Sequence, residues 1–154
     1  MAVTSINKLV ESLKKPAIPP IDGKPMYATI HAMHKLLNSN AASVNTNLNC
    51  GTVGHLCLTL SPNVYATLSA TRVVTPPNPG AMLVIPEGIT GPEVASIRYA
   101  HDMATLAFNT FWNVDCALHQ KLMGAVEDNF VRVKHRPHQG YSVSSTLDLL
   151  THLY

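Results

Sequence analysis

The sequence predicts a mainly α protein: a small helical bundle with an extended N-terminal arm and a long proline-rich mid-chain loop. Two observations carry that prediction. Apolar residues recur at three- and four-residue steps over two long stretches, which is the helical period. Prolines and glycines gather outside those stretches, in residues 16–25 and 76–88, where they punctuate the chain. A chain of 154 residues has room for one core of useful size. The expected division is therefore a flexible arm over residues 1–26 and one helical domain over residues 27–154.

The arm comes first. Pro16, Pro19, Pro20, Gly23 and Pro25 exclude a helix and favour extended or turn structure, after a short amphipathic turn from Ser5 to Leu13. Ile30, Met33, Leu37, Ala41, Val44 and Leu48 then fall on one helical face, with Thr29 as the expected N-cap and Asn49-Cys50-Gly51 as the expected stop. The run from His55 to Leu60 reads as a strand or a loop against the core. Ser61-Pro62 reads as N-cap and first helical residue of a short helix through Val64, Tyr65 and Leu68. Residues 71–89 carry Pro76, Pro77, Pro79, Gly80, Pro86 and Gly88, and are expected to form a mobile surface loop.

Thr90-Gly91-Pro92-Glu93 combines a capping box with an early proline, a double helix-start signal. Val94, Ile97, His101, Ala104, Phe108 and Phe111 continue from it as one stripe. Val114, Ala117, Leu118, Leu122 and Val126 extend the stripe, with a kink expected near Asn113 and Asp115 as the cap of a fresh helix. A short segment with Phe130, Val131 and Val133 is ended by Pro137. Ser144 or Ser145 caps a last helix holding Leu147, Leu149, Leu150 and Leu153, which is expected to be truncated at the C-terminus.

Composition narrows the function. Charged residues make up 13% of the chain, about half the usual share. A surface so poor in charge must carry apolar or uncharged polar area, and large patches of that kind mark association sites. A formal net charge of +2 gives no general attraction to nucleic acid or anionic membranes. The densest basic stretch is residues 132–138, whose Arg132, Lys134 and Arg136 are the candidates for a weak RNA contact. Three cysteines, Cys50, Cys57 and Cys116, read as reduced thiols of a cytoplasmic protein. No apolar run approaches membrane-spanning length, so no membrane partner is expected.

Motifs for chemistry are sparse. His31 and His34 lie three apart on a helix, as do Cys116 and His119, and such pairs hold zinc when two of them converge. They are the metal candidates, and a small His/Cys metal-binding protein is the alternative reading. No zinc-finger double pair, metalloprotease helix, phosphate-binding glycine loop or aspartic-protease triplet is present. Cys116 lies within a helical pattern, with no helix N-terminus to activate its sulfur. His101 and Asp102 are neighbours whose side chains diverge on a helix. The chain reads as a non-enzyme with no cofactor.

Several blocks of the sequence resemble the Gag-like proteins of copia-type LTR retrotransposons, of the type found in diatoms and related algae. The blocks are residues 27–37 with 40–44; Gly54-His55-Leu56 with 58–69; and Asn78-Pro79-Gly80, Ile85-Pro86 and Thr90-Gly91-Pro92-Glu93. They continue in Asn113-Val114-Asp115, Ala117-Leu118 and 120–126, then in Gly140-Tyr141 and 149–154. The resemblance spans residues 18–154 and implies a capsid-like role, in which helical domains assemble around element RNA. No Cys-His zinc knuckle and no protease, integrase or polymerase motif accompanies it. The expected function is non-enzymatic self-association. Its contacts are expected from helices at 29–48, 91–126 and 145–154, with Leu37, Val44, Trp112, Leu149, Leu150 and Leu153 as candidate contact residues.

Overall fold

The computed structural model describes residues 8, 13, 17–46, 53–69, 72–80 and 82–154. Among these the chain is helical, with no strands, in the element order laid down by its caps and turns. Helix α1 spans Tyr27–Ser43 and buries Ile30, Met33, Leu37 and Ala41 along the predicted face. Its N-cap is Met26, so the helix starts earlier than expected. The hydroxyl of Thr29 explains the shift: it accepts from the Met26 amide at 3.0 Å and donates to the Met26 carbonyl at 2.8 Å. Thr29 closes the first turn from inside, as a third helical residue does in a capping box.

The other end of α1 falls short of Leu48. After Ser43 the backbone of Val44 is extended, because His55 takes the terminal carbonyls. The His55 amide donates to the Ala41 carbonyl at 3.0 Å, and its Nδ1 donates to the Val44 carbonyl at 2.9 Å. Gly54 permits that approach. Its φ is +55°, and a Cβ there would lie 2.5 Å from the Ala42 carbonyl oxygen, so only glycine fits. Leu48 and the predicted stop at Asn49-Cys50-Gly51 lie outside the described residues.

A 3₁₀ turn over Leu56–Leu58 follows, neither strand nor plain loop, and buries Leu58. Helix α2, Pro62–Leu68, starts at Ser61 as its sequence requires, and Ser61 Oγ accepts from the Val64 amide. It is anchored by Tyr65, which is fully buried, whereas Val64 and Leu68 stay exposed. The described residues between Arg72 and Thr90 form no helix or strand.

Helix α3, Gly91–Ala125, is one unbroken helix of 35 residues, about 50 Å long at 1.5 Å per residue. Glu93 accepts from both the amide and the hydroxyl of Thr90 at 2.7 Å, as the capping-box sequence predicts. The helix runs on through Asn113 without interruption, so Asp115 caps no fresh helix of its own. Its carboxylate instead accepts from the Thr146 amide at 3.3 Å and the Thr146 hydroxyl at 2.7 Å. Thr146 opens the last helix, so Asp115 serves a helix N-terminus far along the chain, where a negative charge is favoured.

Helix α4, Asp128–Val131, and a 3₁₀ turn, Arg132–Lys134, lead to a tight loop closed between Arg136 and Gly140. Helix α5, Thr146–Leu153, is capped by Ser145, whose Oγ accepts from the Asp148 amide at 3.1 Å. The core gathers α1, the second half of α3, Val131 and α5 around Leu37, Leu118, Leu122 and Leu149. The arm belongs to it as well. Leu13 is buried, Ile18 and Ile21 pack against the cluster, and the Ile21 amide donates to the Ala125 carbonyl at 2.7 Å. The expectation of a free arm is corrected accordingly: its apolar residues cover the end of α3.

Candidate interaction surface

The two halves of α3 meet different surroundings. Every buried residue of the helix lies from Phe111 onward. Residues 91–110, about 30 Å of helix, contribute none, although the apolar stripe runs through them. Val94, Ile97, His101, Ala104 and Phe108 follow one another at alternating three- and four-residue steps, the spacing of a helix–helix seam. All are half-buried or exposed. At the root of this projecting half the ring of Trp112 stands 45% exposed. It meets Phe111 edge-on at 5.5 Å and Phe108 at 6.1 Å. At the tip, the hydrogen bonds from the Thr90 amide and hydroxyl hold the Glu93 carboxyl below its ordinary range.

A cleft of about 190 Å³ lies where the halves join, lined by His55, Met103, Leu106 and Thr110 among others. Burial lowers the pKa of His55, against the opposing effect of its bond to the Val44 carbonyl. Its ring also faces Phe111 at 6.3 Å. A neutral imidazole that donates from Nδ1 is the form this position favours.

Of the predicted contact residues, three are removed by their position. Leu37, Leu149 and Leu150 are buried in the core at 0%, 0% and 1% exposure, so they have no surface to offer a second chain. Their stripes are satisfied by each other within one molecule. Val44 and Leu153 are half-buried against the same core. Trp112 alone of the set presents a large exposed face.

The metal candidates are kept apart. His34 donates from Nε2 to the Thr59 carbonyl at 2.7 Å, which leaves Nδ1 to accept from the Tyr154 hydroxyl at 3.0 Å. His31 stacks on Tyr27 at 5.8 Å and lies 3.4 Å from the Tyr154 hydroxyl. Both histidines thus belong to an aromatic clamp that fixes Tyr154 against α1. Burial, and then the neighbouring Tyr27, raise the pKa of Tyr154. Together these residues border a groove of about 400 Å³ between α1, α2 and α5.

Cys116 and His119 lie in a different cavity of about 390 Å³, beside Gln139 and Tyr141. Burial and then the charge of Asp115 push the Cys116 thiol up, and His119 Nε2 is enclosed without a hydrogen-bond partner. A thiol shifted that way is a poor nucleophile at neutral pH. Among the described residues no three His, Cys, Asp or Glu side chains come together to hold a metal ion.

The basic segment is a surface feature. Arg132 and Arg136 are exposed, and Lys134 is half-buried. The loop that carries Arg136 is closed by reciprocal amide–carbonyl bonds with Gly140, of 2.8 and 2.9 Å. No helix among the described residues is long and apolar enough to cross a membrane.

Sequence reasoning missed two features. One is the Tyr154 clamp, which joins residues more than a hundred positions apart and leaves no local signal. The other is the segment 82–87, where Met82 and Val84 stand 85% and 83% exposed while Leu83 and Ile85 are half-buried. The sequence could not announce that alternation, since Met82, Leu83, Val84 and Ile85 are all apolar. Compared with protein-family models, with curated proteins and with solved structures, the chain matches none.

Proposed function

We propose that this protein is a non-enzymatic self-association module whose principal contact is the projecting half of α3. The observation that carries the reading is the seam over residues 94–108, which keeps helix-pairing spacing where the chain buries no side chain against it. A stripe of that kind is a cost in water and a gain in an assembly. Trp112 at its root supplies the large aromatic anchor that association surfaces favour. The low charge of the chain supports the same reading. So does the resemblance of its blocks to Gag-like capsid regions, which use helical surfaces to assemble.

Light scattering coupled to size-exclusion chromatography, over a tenfold concentration range and two salt levels, tests this. Discrete oligomers are expected, and Ile97→Asp or Ala104→Asp is expected to shift them to monomer while leaving the helical content intact. A monomer at every concentration overturns the reading.

A weak RNA contact through Arg132, Lys134 and Arg136 is the second reading, favoured by the exposure of Arg132 and by the tight loop that carries Arg136 in solvent. It requires binding that falls steeply with salt and weakens when the three become Ala.

A further inference from the structure

We infer that the groove between α1, α2 and α5 receives the segment 82–87 of a second copy of this chain, which holds no helix or strand and alternates in exposure. The inference rests on the self-association reading but uses different surfaces from the α3 seam. The segment has no helix or strand of its own, and it carries the two most exposed large apolar side chains among the described residues, Met82 and Val84. In an extended chain these two point the same way, so they form one apolar edge. Glu87 follows three residues after Val84, exposed, in the turn that Gly88 closes.

The groove has the complementary character. Its floor and wall include Leu60, Val64 and Leu150, and its rim includes Lys35 and His31. No Asp or Glu side chain is among its lining residues, and Lys35 is the one Lys or Arg there, so a trailing glutamate has a cation to meet. The volume of about 400 Å³ is in the range that accepts a few side chains of a peptide. Because groove and segment are different patches, copies joined this way meet head to tail, a contact that closes into a ring or runs on as an open chain.

Charge exchange tests the pairing. Lys35→Glu and Glu87→Lys each place like charges across the contact, and each is expected to weaken association about threefold to tenfold. An equal mixture of the two variants restores both opposite-charge contacts, and its scattering mass is expected to return to that of the parent protein. A labelled peptide of residues 80–90 added to the full chain supplies a second readout. Its anisotropy is expected to rise saturably, and the rise to fall at least tenfold with Val64→Asp in the protein or Val84→Asp in the peptide.

If the protein associates but neither charge variant changes that, and the peptide does not bind, the groove assignment is overturned while the α3 reading stands. If the parent protein associates, Ile97→Asp leaves that association unchanged, and the peptide binds and depends on Lys35, the groove assignment stands and the α3 reading falls. Failure of the mixture to recover, with peptide binding indifferent to Lys35, also overturns the assignment.

Discussion

The two halves of α3 have the same local chemistry and opposite fates. From Phe111 to Ala125 the stripe is closed over by α1, α5 and the arm; from Gly91 to Thr110 it is left half-covered. Both halves follow the same helical period, with no proline after the first turn and no glycine before Gly124 in the last one. Periodicity therefore specifies that a helix has an apolar face, and says nothing about whether the same chain covers it. The covering is decided by what the rest of the chain can reach. Here the arm, α1 and α5 all converge on one end of a helix too long for them to enclose.

The largest test of that contrast is a truncation in each half. Leu118→Ala, in the closed half, removes a fully buried side chain and is expected to cost about 3 kcal/mol in denaturant unfolding, within the usual span for such cavities. Ile97→Ala in the open half is expected to cost under about 1 kcal/mol in a monomer and to act on association instead. Equal losses of stability in the two would erase the distinction.

Asp115 sharpens it, since it stands where the closed half is fastened to α5. Asp115→Ala removes the carboxylate acceptor of the buried Thr146 amide and leaves the Thr146 hydroxyl only the Asp115 carbonyl at 3.2 Å; it is expected to lower stability by about 1–3 kcal/mol. Hydrogen exchange should show the loss at residues 145–153 and leave residues 91–110 unchanged.

His55 marks the boundary between the halves. Its folded-state pKa is lowered by burial, so the native state favours the neutral ring. The stability this contributes is present above the unfolded pKa, about 6.5, and is lost as pH falls below it toward the lowered folded value. Melting temperature should decline more steeply between pH 7 and pH 5 in the parent protein than in His55→Gln. Identical slopes would remove His55 from the account.

The smallest effect belongs to the tip. Thr90→Ala removes one of the two Thr90 donors to Glu93 and is expected to cost about 1 kcal/mol of local helix stability. Because residues 91–110 are not braced by the core, the change should appear as fraying in hydrogen exchange while global unfolding barely moves.

What the sequence made legible was mostly local. Ser61, Thr90 and Ser145 cap the helices that their neighbours predict, because an N-cap needs only a side-chain oxygen and amides a few residues on. The mainly α class followed from the same short-range rules. The end of α1 was illegible, since it depends on His55 returning past Gly54 to take carbonyls from another element. Asp115 was misread for a related reason: its position after Asn113 looks like a cap, but its partner is Thr146. The contact surface suffered most. Leu37, Leu149 and Leu150 lie on stripes that the core covers, whereas the helix at 91–126, also expected to supply contacts, was represented among the named residues by Trp112 alone.

The bond between the Ile21 amide and the Ala125 carbonyl also bears on the order in which the molecule assembles. It joins positions near opposite ends of the chain, so closing it early would require ordering a very long loop for one hydrogen bond. Helices α3 and α5 can form and dock first, at modest loop-closure cost, and the arm settles once Ala125 is held in place. The same sequence in reverse makes the arm the first part to leave on unfolding. If the arm does leave first, exchange of the Ile21 amide is expected to outpace that of the amides of residues 114–122.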